Sequence, residues 1–397
     1  MKLAIVGIAA LQAASIASAQ SSITLFGIAD AGISRYEATA RNPVTGGAIT
    51  QRQWALSSGG NATSRLGMRG TEDLGGGLSA GFWFESAIAL DTGSIGGPAT
   101  AGAPSATAFF NRRSTLSLAG GLGELRLGRD YNPTFYNDAI FDPFGNCGVG
   151  SSVLFTLGNS AAVGNANYVR ANNSVSYFLP ADLGGVYGSV MYGLPENTKS
   201  SGSSVAAEND RSGTYVGGRL GYLAGPLDIA IAHGESKASD TAVLQRDFRT
   251  TNIGASYDFG LVKAFGELSR TRDQRRTPLT ATEIHFDGYL VGASVPVGVG
   301  LIRVSYSAVR FKSDEGFTGS SAPRVNKFAI GYTHNLSKRT AIYVTAARVN
   351  NKNDGAYAGR LPSAAITAGG AASFSGAGQG YLAQKATGYD VGIRHAF

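Results

Sequence analysis

Two carboxylates and four guanidinium groups stand out by their positions. Asp138 and Asp142 lie four residues apart in the stretch DYNPTFYNDAIFDPFGNC, residues 130–147, a spacing that would place both on one face of a short helix. Pro133 and Pro143 bar the same stretch from a central strand. Arg65, Arg69, Arg113 and Arg126 each occupy the phase opposite the apolar residues of their segments: Leu66 and Met68, then Leu116 and Leu118, then Leu125 and Leu127. Fixed charges of this kind along a narrow passage sort small solutes by sign and dipole. Catalytic patterns are missing. The four histidines, His233, His285, His334 and His395, have no metal-ligand spacing, no H-E-x-x-H occurs, and the glycine cluster Gly298-Val299-Gly300 lacks the strand-to-helix context of a phosphate loop. The expectation is therefore no catalytic residue, no metal and no cofactor.

The elements that must hold these charges are strands. Apolar residues recur at every second position over runs of about eight to twelve residues, as in Ile23 and Leu25, or Ile253, Ala255, Tyr257 and Phe259, or Phe328, Ile330 and Tyr332. About sixteen such runs fit the length of a tilted membrane-spanning strand. Short turns such as Leu74-Gly75-Gly76-Gly77 alternate with long polar segments such as Glu37 to Thr63, Asp91 to Ala108, Ser236 to Gln245, Asp273 to Thr282 and Asn351 to Gln384. This asymmetry, together with aromatics near strand ends (Tyr36, Phe82, Phe84, Tyr177, Tyr192, Tyr257, Tyr289, Tyr332), points to an all-β transmembrane antiparallel barrel with short periplasmic turns and long external loops. The chain ends Tyr389, Val391, Ile393, His395, Phe397, alternating to an aromatic carboxy-terminus.

Residues 1–19 read as a signal peptide: Lys2, the apolar run Leu3 to Ala14, and the small-residue site Ala17-Ser18-Ala19. That run is shorter than the roughly 20 residues of a spanning helix. Residues 20–397 read as one barrel domain, since no linker or charge block divides them. The net charge of +7 comes from scattered Lys and Arg, without the clustered basic stripe that nucleic-acid binding requires. Cys147 has no partner in the chain, so no intramolecular disulfide is possible.

The segments SSITLFGIADAGI, SRLGMRGTEDLGGGLSAGFWFES, RRSTLSLAGGLGELRLGRDY, DPFG, RANNSVSYFLP and GYDVGIRHAF resemble, in order, the general porins of Gram-negative bacteria, most closely the betaproteobacterial type. The resemblance implies a sixteen-stranded barrel that assembles as a homotrimer, sits among outer-membrane lipid and lipopolysaccharide, and passes small hydrophilic solutes and ions. It also implies that the third external loop, about 130–169 here, folds into the lumen, and that Phe397 is read by the outer-membrane assembly machinery. Where some relatives carry Pro-Glu-Phe-Gly, this chain has Asp142-Pro143-Phe144-Gly145, which displaces the acidic position by one residue.

Strand phase places Arg65, Arg69, Arg113 and Arg126 in the lumen, as a basic wall facing Asp138 and Asp142 across a constriction. Basic residues outnumber acidic ones, so weak anion selectivity is expected. The competing readings are a substrate-specific channel, which would show a ladder of inward aromatics beyond Phe26, Trp83 and Phe178, and a barrel adhesin or outer-membrane hydrolase.

Overall fold

The computed structural model describes residues 22–42, 44–98, 107–159, 163–197, 200–202, 205–208, 211–313, 322–352 and 382–397. The signal-peptide reading of residues 1–19 lies outside them. Seventeen segments make the wall. They are β1 (Ser22–Arg41), β2 (Ala48–Ser58), β3 (Arg65–Gly75), β4 (Leu78–Ala89), β5 (Arg113–Gly120), β6 (Gly123–Tyr131), β7 (Arg170–Phe178) and β8 (Val186–Gly193). They continue as β9 (Tyr215–Ala224), β10 (Leu227–Asp240), β11 (Gln245–Asp258), β12 (Lys263–Arg276), β13 (Ala281–Val297), β14 (Gly300–Ser313), β15 (Arg324–Asn335), β16 (Thr340–Lys352) and β17 (Leu382–Ala396).

Segments β2 and β3 pair with successive halves of β1 and share one position in the wall, which gives the sixteen staves expected. Asp30 holds the break between them: its Oδ2 accepts the amides of Asn61 and Ala62 at 2.8 and 2.6 Å, and its Oδ1 accepts the Tyr343 hydroxyl at 2.6 Å. The wall closes where β17 pairs antiparallel with β1, and Gly27 and Phe397 exchange two backbone hydrogen bonds at 3.1 Å. Closure leaves no ladder edge to lie unpaired in hydrocarbon.

Alternation runs as expected. Outward positions carry Ile33, Leu56, Leu116, Leu220, Ile253, Leu268, Val291, Ile330 and Val344, all exposed, while inward neighbours such as Ser34, Thr115, Asn252 and Ser305 are polar and buried. Two expectations shift. The segments Glu37 to Thr63, Ser236 to Gln245 and Asp273 to Thr282 are largely strand, because outward charges pair across the ladder: Arg52 with Glu37 at 2.9 Å and Lys237 with Asp247 at 3.0 Å, while inward Arg246 pairs with Asp273 at 2.5 Å. Tyr36 points inward and is buried, so it belongs to the interior and not to an interfacial girdle.

The larger of two buried apolar clusters among the described residues lies inside the barrel under the long segment; a smaller one joins Ala171, Met191 and Tyr215 of β7, β8 and β9. Phe144, Val149, Val153, Leu154 and Leu157 of the long segment 132–169 pack against Tyr36, Leu290, Val309, Phe311, Val325 and Val349 of the wall. Each such side chain contributes about 1.5–3 kcal/mol on full burial.

A guanidinium on the outer face would test the lipid contact. Leu268→Arg is expected to cost up to about 2–4 kcal/mol, the range for a cation facing hydrocarbon, read as a lowered midpoint in urea unfolding from lipid vesicles.

Candidate functional site

The described parts of segment 132–169, residues 132–159 and 163–169, lie inside the barrel between β6 and β7. Helix α1 (Pro133–Ile140) starts on Asn132 with Pro at its first turn, and helix α2 (Val153–Gly158) is capped by Ser152, whose Oγ accepts the Phe155 amide at 3.2 Å. The wall receives the segment on glycines. A Cβ built on Gly254 would lie 2.0 Å from the Phe141 ring, one on Gly292 2.5 Å from Pro143, and one on Gly288 2.4 Å from Leu154. These glycines face inward on β11 and β13, so the wall is recessed where the loop's bulky side chains seat.

Polar contacts then fix the register. Asn137 donates to Asn252 Oδ1 at 3.1 Å and accepts Arg219 Nε at 2.6 Å. The Val149 amide donates to Asp390 at 2.8 Å, the Val153 amide to Ser307 at 3.0 Å, and Lys327 to the Ser151 carbonyl. Arg303 stacks over Phe144, its guanidinium carbon 5.0 Å from the ring centre. Three inward cations of β9, β14 and β15 thus hold the loop.

Asp138 and Asp142 are corrected by this geometry. Both are buried, and neither lies on the lumen surface. Asp138 accepts Asn252 Nδ2 at 2.9 Å and the Tyr168 hydroxyl, which ties α1 to the wall. Asp142 accepts the amides of Phe144, Asn146 and Ser152 at 2.9, 3.2 and 3.0 Å, which shapes the turn between the helices. A carboxylate with several donors converging on it loses less by leaving water than one with none, so these two are the anchors of the loop. Burial pushes both carboxyls up from the ordinary range, and these hydrogen bonds oppose the push. They are the only charged residues in 132–169, so the loop presents an uncharged face to the pore.

The four arginines do meet, on the inner face of β3 to β6 that the loop leaves open. Arg69 and Arg113 share Trp83, their guanidinium carbons 5.0 and 4.5 Å from its ring centre. Arg126 stacks on Phe178 at 4.0 Å and pairs with Asp130 at 2.6 Å and Glu124 at 2.9 Å. Asp130 also lies 3.8 Å from Arg113. Arg65 stands 4.0 Å from Glu85, which Arg112 engages directly. Arg69 is exposed to the lumen and forms no ion pair among the described residues. The facing surfaces are therefore a cation-rich wall and a neutral loop.

The sequence profile of the Gram-negative porins matches residues 4–354. The chain belongs to that family. It is 36% identical to outer membrane porin protein 32 of Delftia acidovorans over the full length of both chains, and 30% identical to an outer membrane porin of Bordetella pertussis over 85% of this chain and 91% of the other. Its structure superposes on the anion-selective porin from Comamonas acidovorans with a TM-score of 0.71 at 34% identity, covering 95% and 100% of the two chains. The porin forms an outer-membrane channel, and both family and fold are those of channels.

Residues missed in the sequence are those that balance and support the arginines. Glu85 and Asp130 carry a readable signal, since both fall on inward phase close to Trp83 and Arg126. The recessed glycines also sit on inward phase, but only the folded loop shows what fills them.

Gly254→Val should displace Phe141 at a cost of about 1–3 kcal/mol and loosen α1. The expected result in planar bilayers is a noisier channel with altered single-channel conductance; an unchanged trace would release the loop from its seat.

Proposed function

We propose that this porin is a general, weakly anion-selective diffusion pore whose constriction is lined by Arg65, Arg69, Arg113 and Arg126. The observation that carries the reading is the one-sided field: the open wall holds five guanidinium groups, counting Arg112, against Glu85, Glu124 and Asp130, while the loop opposite carries no exposed charge. Stacking on Trp83 and Phe178 holds the guanidinium planes without neutralising them. An anion passing within the Debye length, about 8 Å at physiological salt, meets a favourable potential; a cation meets a barrier. The three carboxylates moderate the field, so the selectivity is weak. The anion-selective relative from Comamonas supports the same sign.

Inward aromatics lie beneath arginines and do not form an open ladder of the kind a sugar channel uses: Phe26 packs edge-on against Trp83 at 5.1 Å, with Arg69 over both. Passage is thus passive, set by width and charge, with no catalytic step. We place the pore in a homotrimer surrounded by outer-membrane lipid and lipopolysaccharide.

Reversing Arg65 and Arg113 to Glu should move the reversal potential under a salt gradient from the anion side toward the cation side. An unmoved potential with intact conductance would exclude both from the constriction.

Phe397 is proposed as the residue read during assembly. Its ring covers Gly27, where a Cβ would lie 2.3 Å from Cζ, and its backbone ends the seam. Deleting it is expected to lower the amount of inserted barrel in cells while barrel refolded in vitro keeps near-normal resistance to unfolding. Normal surface levels of the truncated chain would remove the signal from Phe397.

A further inference from the structure

Glu267 lies on β12 with its side chain inward, opposite Gly254 of β11 and Leu290 of β13, at the seat that receives Phe141. It is 3% exposed, and neither of its carboxyl oxygens has a hydrogen-bond partner. An ionised carboxyl in that setting is far costlier to bury than a neutral acid. The polar group that faces it is Asp138 of α1, within side-chain hydrogen-bond reach.

Each donor around this pair is already used. The two hydrogens of Asn252 Nδ2 go to the Thr134 carbonyl and to Asp138 Oδ1, both at 2.9 Å, and the single hydroxyl hydrogen of Tyr168 goes to Asp138 Oδ2. Asn137 Nδ2 turns to Asn252 Oδ1 at 3.1 Å and to the Ala230 carbonyl at 3.2 Å. The cations nearest the seat are engaged as well: Arg219 of β9 with Asn137 and Tyr187, and Lys327 of β15 with the Ser151 carbonyl. Asp142, from the turn after α1, adds negative charge near Glu267, and Tyr215 of β9 stands behind Thr134. Two acceptors therefore face each other, and the donor they lack is a proton on one of them.

We propose that Asp138 and Glu267 share one proton, carried on Glu267 and donated to Asp138, and that this acid–carboxylate bridge pins the constriction loop to the wall. Glu267 is thus a positioning residue that acts on the pore through α1, and the inference rests on the reading above that the loop borders the ion path. Loss of the proton sets two ionised carboxyls face to face in a site closed to water, where they repel. The contribution of the bridge is fully present below the ordinary carboxyl range and is lost as pH rises through the higher value at which the pair releases its proton. The burial that pushes Asp138 up has the same sign. A cavity of about 30 Å³ bordered by Asn165, Tyr168 and Ser269, the next inward residue of β12, is large enough for a water and gives the proton a way out.

The test compares the full-length porin with Glu267→Gln, whose amide supplies the missing donor without a titrating proton, and with Glu267→Leu, which removes the bridge. Single channels are recorded in planar bilayers from about pH 5, above the carboxyl range, to about pH 10, where lysine and tyrosine titrate. Wild type should be quiet near neutral pH, with open-channel noise that rises severalfold toward the alkaline end. Glu267→Gln should stay quiet throughout, and Glu267→Leu should be noisy at every pH. In infrared difference spectra against Glu267→Gln, wild type near neutral pH should show the C=O stretch of a protonated carboxylic acid, and this band should fade over the same pH range in which the current becomes noisy. An alkaline rise in noise that persists in Glu267→Gln belongs to another group, such as Lys327, and overturns the proposal. Absence of the acid band from the difference spectrum overturns it whatever the channel does. Because that band reports the proton without any ion current, the bridge stands or falls separately from the reading of the pore.

Discussion

Everything in this barrel depends on one requirement: a backbone amide or carbonyl in hydrocarbon must find its partner within the protein. The sheet meets it by closing on itself through β1 and β17, and the closed sheet divides every strand into two phases. Outward residues answer to lipid and inward residues to water, so a period of two decides where chemistry can occur. The arginines of β3, β5 and β6 are functional candidates because closure turns their phase toward the lumen.

The loop 132–169 solves a second problem, which is how to keep a segment without strand pairing in place inside a wet tube. Apolar packing on one side of the wall supplies the bulk of the adhesion, and glycines in that wall supply the room. Polar contacts then choose the position: Asn137, Asp138 and Asp142 within the loop, with Arg219, Asn252, Lys327 and Asp390 from the strands. Two groups of inward cations therefore differ in their surroundings. Those on β9, β14 and β15 are taken up by the loop, and those on β3, β5 and β6 stand on the face that the loop leaves open.

This division explains why the transverse field expected from a basic wall facing two aspartates is absent. A loop carboxylate can either face water and the ion path or organise the loop. Asp138 and Asp142 do the second, since the donors that compensate their burial lie in the wall and in the turn itself. The open wall keeps its arginines together with Glu85, Glu124 and Asp130, and the loop bears no exposed charge.

Alternation, turn asymmetry and the terminal aromatic determined the barrel, its approximate strand count and the inward phase of all four arginines, because each is a local property of pleated backbone. Strand ends were less legible, as at Glu37 and Asp273, because charged residues that look like loop become strand when a partner of opposite charge lies across the ladder. The fate of Asp138 and Asp142 was decided only by tertiary structure. Their spacing along the chain places them on one side of a helix, but which side meets the wall follows from Gly254, Gly288, Gly292 and Asn252, more than a hundred residues away. Local periodicity says which face of a strand a residue occupies; only packing says whether that face is left open to solvent.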